Sequence, residues 1–131
     1  MAAAGKSYAQ PWNSRISDTQ VLWLTEQLQD ATDAGESVLA FGHHPILPEE
    51  AHCSWNCGML HKLLSRFPCC KAYLNGLRHS GGYDSSDGLH YLTLHGMLDT
   101  GENSFSRARL YRSHIQITGY GRQPSRTIRF R

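Results

Sequence analysis

The alternation of apolar and polar residues predicts a helix near the start of the chain. Ser17-Asp18-Thr19-Gln20 is a Ser-x-x-Gln capping box, a pattern typical of helix N-termini. Apolar residues then repeat at helical spacing, namely Val21, Leu24, Leu28 and Ala31. Gly35 supplies the residue type that commonly ends a helix. The pattern therefore predicts a helix between Ser17 and Gly35, preceded by an irregular lead-in over residues 1–15.

Short apolar runs and one further amphipathic segment follow. Residues 37–41 read as a strand, residues 56–67 as a second helix closed by Pro68, and residues 70–75 as another strand. Strand-like segments at 89–94, 105–111 and 115–120 are separated by Gly, Asp, Ser and Asn, which indicates antiparallel connections. The order of helices and strands predicts an α/β fold.

Length and composition place the chain among ordinary globular proteins. Its 131 residues suffice for one domain, and 18% charged and 40% hydrophobic residues with a net charge of +2 exclude a disordered or strongly charged chain. No apolar run reaches membrane-spanning length, and the first residues lack the apolar core of a signal peptide. We therefore expect a cytoplasmic protein without a membrane partner.

The charges are unevenly distributed along the sequence. No acidic residue follows Glu102, whereas seven arginines do: Arg107, Arg109, Arg112, Arg122, Arg126, Arg129 and Arg131. The segment can be a solvated strand face, an anion-facing edge or a nucleic-acid surface. The pattern disfavours nucleic acid as a partner, because we find no aromatic residues interleaved at strand spacing and no known reader motif.

The cysteines are too few for a disulfide framework at this length and are expected to be free core thiols: Cys53, Cys57, Cys69 and Cys70. An alternative is a zinc site formed by Cys53, Cys57 and His61, which are spaced by four residues, with His52 as a fourth ligand. Three ligands on one straight helix suit a tetrahedral site poorly.

Two histidine-containing segments follow predicted strands. They are Gly42-His43-His44-Pro45 and Gly76-Leu77-Arg78-His79-Ser80-Gly81-Gly82-Tyr83. The carboxyl edge of a sheet is where α/β proteins commonly hold metals and phosphates. A histidine in that position can equally be a hydrogen-bonded structural residue. The pattern gives no reason for His44, His90 and His95 to converge on the same point.

These segments, with others in the same order, resemble a known family. The additional segments are Gln20-Val21-Leu22-Trp23-Leu24, Ser54-Trp55-Asn56 and Gly119-Tyr120-Gly121-Arg122-Gln123-Pro124. Together they resemble the C-terminal half of a calcineurin-like metallophosphoesterase, most of all the manganese-dependent ADP-ribose/CDP-alcohol diphosphatases. The likeness runs from about Asn13 to Arg129, so residues 16–131 are expected to form a partial metallophosphoesterase domain.

The resemblance implies a hydrolase with two metal ions, manganese or another divalent metal. In it, His43 matches one metal ligand and His79 matches the second histidine of a Gly-His-Xaa-His turn. Leu77 stands where the first histidine of that turn belongs, and the family's Asp-Xaa-His, Gly-Asp and Gly-Asn-His motifs are absent from this sequence. We therefore expect His43 and His79 to be residual positions that hold no metal tightly in this chain.

The expected fold is half of a metallophosphoesterase β-sandwich, a mixed sheet with helices on one face. One sheet face, rich in apolar residues, is then expected to be bare: Leu92, Leu94, Leu110 and Ile117. The implied function is hydrolysis of ADP-ribose- or CDP-alcohol-like diphosphates, with this chain alone inactive. The alternative is a non-catalytic remnant or interaction module that uses the bare face. Expected partners are a second copy of the chain or the missing N-terminal half, with a nucleoside diphosphate compound as ligand.

Overall fold

The structure is a computed structural model that describes residues 5–131, so the first four residues of the predicted lead-in lie outside the described part. Its elements in chain order are α1 (Asp18–Asp33), β1 (Val38–Phe41), α2 (Cys57–Ser65), β2 (Cys70–Asn75), β3 (Gly82–Ser86), β4 (Leu89–Thr93), β5 (Phe105–Leu110), β6 (His114–Tyr120) and β7 (Arg126–Arg129). Residues 5–16 form turns and loop, and Asn13 Nδ2 fixes this segment to the body by donating to the Ala51 carbonyl.

Helix α1 forms for the reasons visible in the sequence. The Ser17 side chain accepts a hydrogen bond from the Gln20 amide, which satisfies one of the unpaired donors of the first turn. Leu28 and Ala31 are buried on the predicted stripe. Gly35, at a φ of +69°, takes the left-handed conformation that follows a helix end. The first predicted helix is therefore confirmed.

The strands form two sheets. Sheet A has the order β1-β2-β4-β3, in which β1, β2 and β4 are parallel and β3 is antiparallel to β4. Sheet B is antiparallel, with the order β5-β6-β7. The predicted mixed sheet is confirmed, and the antiparallel connections of the C-terminal segment produce a separate second sheet.

Side chains alternate between two cores on the faces of sheet A. Tyr73 and Tyr91 point toward the helices and pack with Leu28 and other residues of α1 and α2. Ala72, Leu74 and Leu92 point the opposite way, toward a second core with Ile115, Ile117 and Ile128 of sheet B. The chain therefore has three layers, and helices cover only one face of sheet A, as predicted.

The expectation of a bare sheet face is wrong. Leu92 is 3% exposed and Ile117 is 2% exposed, because each lies in the core that joins the two sheets. The chain after Glu102 turns back over sheet A and covers this face, and the spacing of the apolar residues does not indicate that return. Leu110 remains 65% exposed at the edge of sheet B.

Two strands, β3 and β7, were not predicted from the sequence, and helix α2 is shorter than predicted. β3 has the sequence Gly-Tyr-Asp-Ser-Ser and is rich in turn-forming residues, so its strand conformation comes from pairing with β4. β7 is a four-residue edge strand with two arginines. Helix α2 ends at Ser65 rather than at residue 67, since Arg66 caps it two residues before Pro68.

The sandwich is open on one side. β7 lies over β3 and β4, since the Arg126 guanidinium stacks 3.9 Å from the centre of the Tyr83 ring and His90 Nε2 lies 2.7 Å from the Arg129 carbonyl oxygen. The strand orders then place β5 toward β1. Both are edge strands, and the apolar residues Phe41 and Leu110 are exposed there.

Candidate functional site

The two histidine segments lie side by side at the carboxyl edge of sheet A, as the sequence predicts. β1 and β2 are parallel neighbours, so the loops that follow them leave the sheet at the same edge. The Gly42 amide donates to the Leu74 carbonyl at 3.1 Å, and the Gly76 amide donates to the His43 carbonyl at 3.1 Å. These two hydrogen bonds join the backbones of the loops that carry His43 and His79.

The close approach of a tyrosine side chain explains the glycine that opens the first loop. The Tyr73 hydroxyl donates to the His44 carbonyl at 2.8 Å, and it crosses directly beside Gly42. A Cβ atom on Gly42 would lie 1.9 Å from that hydroxyl oxygen. Burial also raises the pKa of Tyr73 to about 12, so the hydroxyl remains a donor at neutral pH.

The second loop is a tight turn with an unusual backbone conformation. Leu77 has a φ of +62°, in the left-handed region that residues other than glycine, asparagine and aspartate seldom adopt. Arg78 closes the turn, since Nη2 donates to the Gly81 carbonyl at 2.6 Å and Nη1 donates to Glu50 Oε2 at 2.8 Å. The Arg78 amide also donates to the Gly76 carbonyl at 2.8 Å, so contacts of Arg78 hold the turn around Leu77.

His79 is oriented by a carboxylate that the sequence analysis missed. Its Nδ1 lies 2.9 Å from Asp99 Oδ1, and Arg122 Nη2 donates to Asp99 Oδ2 at 3.1 Å and to the Gly96 carbonyl at 2.8 Å. The hydrogen bond with His79, and then that with Arg122, lowers the pKa of Asp99. With Nδ1 engaged, Nε2 is the ring nitrogen that faces away from Asp99.

A cavity of about 350 Å³ lies beside this turn, lined by Gly42, Leu77, His79 and His95 among others. His95 is fixed by Gln123, whose Oε1 accepts from the His95 amide at 2.9 Å and lies 3.3 Å from its Nδ1. His95 therefore approaches the site, which nothing in its sequence neighbourhood indicated. His43 is exposed and does not line this cavity.

Three other histidines named from the sequence form hydrogen bonds away from this site. His44 Nδ1 lies 3.3 Å from the His52 carbonyl, and His90 Nδ1 lies 2.8 Å from the Tyr83 hydroxyl. His61 Nδ1 is 2.6 Å from the hydroxyl of the buried Tyr91, at the helix face of sheet A. These three side chains are therefore held in structural hydrogen bonds, away from the cavity.

The four cysteines are free and buried, as expected. Cys53 Sγ donates to the Pro48 carbonyl at 3.0 Å, and burial raises the pKa of Cys70 to about 12. Among residues 5–131, no group of three or more His, Cys, Asp and Glu side chains could hold a metal ion. The alternative zinc site of Cys53, Cys57, His61 and His52 is therefore wrong.

The same observation decides the fit to a dinuclear centre. A pair of divalent ions needs several ligands and at least one bridging group, usually an anionic one. Leu77 has no lone pair to offer, and the carboxylate closest to His79 is engaged by Arg122. Residues 5–131 therefore do not form a two-metal site by themselves.

No helix between residues 5 and 131 is long and apolar enough to cross a membrane.

Comparison with known proteins relates the chain to part of larger enzymes. It is 29% identical over 120 residues to a manganese-dependent ADP-ribose/CDP-alcohol diphosphatase of Arabidopsis thaliana, covering 87% of this chain and 39% of that protein. It is 30% identical to proteins of the same name from Xenopus laevis, with 92% and 35% covered, and from Danio rerio, with 91% and 39% covered. No protein-family model matches the chain.

The fold gives the same relationship. A crystal structure of a dimetal phosphatase from Danio rerio superimposes with a TM-score of 0.89 at 27% identity, over 95% of this chain and 41% of that one. The chain thus spans about two fifths of the length of the proteins it matches. In sequence it is similar to one part of the manganese-dependent ADP-ribose/CDP-alcohol diphosphatases, and in fold to one part of a dimetal phosphatase, which confirms the resemblance that its motifs indicated.

Proposed function

We propose that this chain is the part of a metal-dependent phosphohydrolase that presents His43 and His79, and that it does not hydrolyse substrate alone. The substrates of the complete enzyme would be nucleoside diphosphate compounds of the ADP-ribose and CDP-alcohol type, as the names of the relatives state. The observation that carries the proposal is the pair of hydrogen-bonded loops that bring both histidine segments to one sheet edge.

The chemistry explains why the isolated chain should be inactive. A metal pair supplies a hydroxide nucleophile and stabilises the negative charge of the phosphate, and neutral imidazoles alone cannot hold two divalent ions close together. His79 is already oriented by Asp99, whereas Leu77 contributes no ligand at all. The chain therefore provides an oriented His79 and an exposed His43 at the sheet edge, and the remaining ligands must come from another polypeptide segment.

The first experiment assays the chain against ADP-ribose and CDP-choline with excess manganese. We expect no turnover, and calorimetric titration should detect no tight manganese site. The variant Leu77→His should also be inactive, since one added imidazole completes neither metal shell. Turnover that survives repurification and disappears with EDTA and with His43→Ala would contradict the proposal.

A chimera gives the positive test. Replacing the 125 matched residues of the Danio rerio diphosphatase with this chain supplies the missing ligands from the relative. We expect the chimera to gain at least tenfold in manganese-dependent activity when it also carries Leu77→His. His79→Ala in that background is the control and should abolish the gain. A folded chimera whose activity is insensitive to both changes would refute the assigned histidines.

The partner of the chain is proposed from the open side of the sandwich. β1 is an edge strand, and an apolar groove of about 400 Å³ beside it is lined by Trp23, Val38, Phe41 and residues of α1. The relatives have more than half of their length beyond the matched part, and a segment of that kind would pair with β1 and cover Phe41. Without it, two copies are expected to associate through this side, as sedimentation equilibrium would detect.

The non-catalytic interaction module remains the second candidate function, with a changed surface. The face that was expected to be bare is covered by sheet B, so the surface available for docking is the β1 and β5 side, where Phe41 and Leu110 are exposed. A chimera that folds but stays inactive with and without Leu77→His would favour this function.

A further inference from the structure

We infer that the outer face of sheet B binds single-stranded nucleic acid. The outer face is the side of β5, β6 and β7 turned away from sheet A. It combines three arginines with stacked aromatic rings and lies on a different surface from the histidine loops. The inference is independent of the proposed hydrolase function.

Strand register decides which side chains share this face. Ile115 and Ile117 are buried toward sheet A, so the alternate residues of β6, including Tyr120, point outward. Directly paired residues of antiparallel strands lie on the same side of the sheet. Phe105 pairs with Tyr120, Arg107 with Thr118 and Arg109 with Gln116. Phe105, Arg107 and Arg109 therefore all belong to the outer face.

A third arginine and a second pair of rings extend the same face. Arg129 of β7 pairs with His114, which alternates with the buried Ile115. The Tyr111 ring stacks on His114 across the hairpin, with ring centres 4.4 Å apart and planes 8° from parallel. At the other end, Phe105 and Tyr120 stack with centres 4.6 Å apart and planes 10° from parallel.

These residues are available for a ligand. Phe105 is 51% exposed and Tyr120 is 39% exposed, and Arg107, Arg109 and Arg129 are exposed as well. Within residues 5–131, none of these three arginines forms a salt bridge, and the sequence after Glu102 contains no acidic residue that could neutralise them. The outer face therefore carries uncompensated positive charge.

Nucleic acid was disfavoured as a partner because no aromatic residues are interleaved with the arginines at strand spacing, but two aromatic residues flank two of the arginines at that spacing. Along β5 and the residue that follows it, Phe105, Arg107, Arg109 and Tyr111 succeed one another at a spacing of two, which is the period of a strand. From Phe105 to Tyr111 this row spans about 20 Å, at roughly 3.4 Å per residue. In this row two arginines that could neutralise phosphates lie between two aromatic rings on which bases could stack.

The combination favours single strands over other anions. Unstacked bases can lie on the free faces of aromatic rings while arginines neutralise the phosphates, and each stacked base contributes substantially to affinity. In duplex DNA the bases are stacked on one another, so their faces cannot stack on the aromatic rings of this sheet. An anionic membrane or an acidic peptide would use the charges but has no flat π-face for the rings.

The test is a fluorescence anisotropy titration of the 131-residue chain with labelled decamers of deoxythymidine and of uridine. We expect binding to both, at least tenfold weaker binding to a ten-base-pair duplex, and a logarithmic salt slope of about −2, since each of three phosphates contributes roughly 0.7. The double variant Arg107→Gln/Arg109→Gln should reduce the slope to about −0.7.

Matched variants separate stacking from charge. Phe105→Ala should weaken binding about tenfold, the loss of roughly one stacked base, with little change in salt slope. Arg66→Gln removes an exposed arginine beside helix α2, in the layer opposite sheet B, and should have no effect. Far-UV circular dichroism and the thermal midpoint show whether each variant is folded.

Three results with nucleic acid, and a fourth with other anions, would overturn the inference. They are no measurable binding at low salt, equal affinity for the duplex and the single strands, and loss of affinity with Arg66→Gln as large as with the sheet B variants. Equal binding to anionic lipid vesicles or to an acidic peptide, unchanged by Phe105→Ala, would show a general polyanion surface and would also overturn it.

Discussion

The packing of sheet B on sheet A can be tested with two substitutions that remove the same number of carbon atoms. Ile117 on β6 is 2% exposed in the core between the sheets, and Leu110 on β5 is 65% exposed at the open edge. Both residues point to the inner side of sheet B, since Leu110 pairs with the buried Ile115. Replacing either with alanine removes three carbons.

The structure predicts very different costs for the two changes. For Ile117→Ala, three buried carbons at about 0.8 kcal/mol each give roughly 2.4 kcal/mol, and the cavity raises this to about 3–4 kcal/mol. For Leu110→Ala, most of the side chain is already in water, so the loss should stay below about 1 kcal/mol. The expected difference in the free energy of unfolding is therefore at least about 2 kcal/mol.

Urea unfolding followed by circular dichroism measures both values, and the urea dependence of the free energy should be the same for each variant. A sheet face left bare, as the sequence suggested, would make both positions tolerant. A difference smaller than about 1 kcal/mol would thus refute the sandwich packing. Association of the chain through β1 and β5 would instead raise the cost of Leu110→Ala with protein concentration, which a dilution series reveals.

Three further predictions concern the turn at Leu77, the buried Tyr73 hydroxyl and Cys70 thiol, and the Asp99 carboxylate beside His79. Leu77→Asn should raise the free energy of unfolding by about 0.5–1 kcal/mol, because asparagine tolerates the left-handed conformation; a loss of stability in urea unfolding would contradict it. Burial raises the pKa of both Tyr73 and Cys70 to about 12, so the folded state retains protons that the unfolded chain releases above pH 9–10. Stability should therefore fall from pH 9 toward pH 12, by up to about 1.4 kcal/mol per pH unit for each group; constant stability up to pH 11 would show that these groups are not buried. Asp99 should titrate below its ordinary value of 3.8 in carbon-13 NMR, and His79→Ala should return it toward that value; an unchanged titration would show that the two side chains do not meet.

Local signals in the sequence predicted local structure well. The Ser17 cap, the apolar stripe of α1 and Gly35 act within a few residues, so the helix bounds follow from them directly. β3 had no such signal, since its polar residues form a strand only because β4 lies beside them. The covering of sheet A by sheet B depends on contacts between residues far apart in the chain, such as Leu92 and Ile117, and alternation alone does not specify the partner sheet.

In the candidate site, too, the residues with a local sequence signal were predicted and those that depend on distant contacts were not. His43 and His79 were found because each belongs to a short motif at a strand end, and the parallel pairing of β1 and β2 brings those ends together. Asp99 and Gln123 were missed because each reaches its histidine from a distant loop, across 20 and 28 residues respectively. Nothing in the neighbourhood of Asp99 in the sequence distinguishes it from other loop aspartates.

The backbone conformation of the turn at Leu77 is determined by contacts of neighbouring residues and does not depend on a bound ligand. Leucine at a φ of +62° costs roughly 1–2 kcal/mol, and no ligand contact of its own side chain can offset that cost. The turn is held instead by Arg78, whose amide donates to the Gly76 carbonyl at 2.8 Å and whose guanidinium donates to Glu50 and to the Gly81 carbonyl. A histidine placed at this position would therefore meet the backbone conformation that Leu77 already has. Leu77→His should therefore add an imidazole at this position without changing the backbone of the turn. Activity in the chimera then depends on the ligands that the other segment supplies.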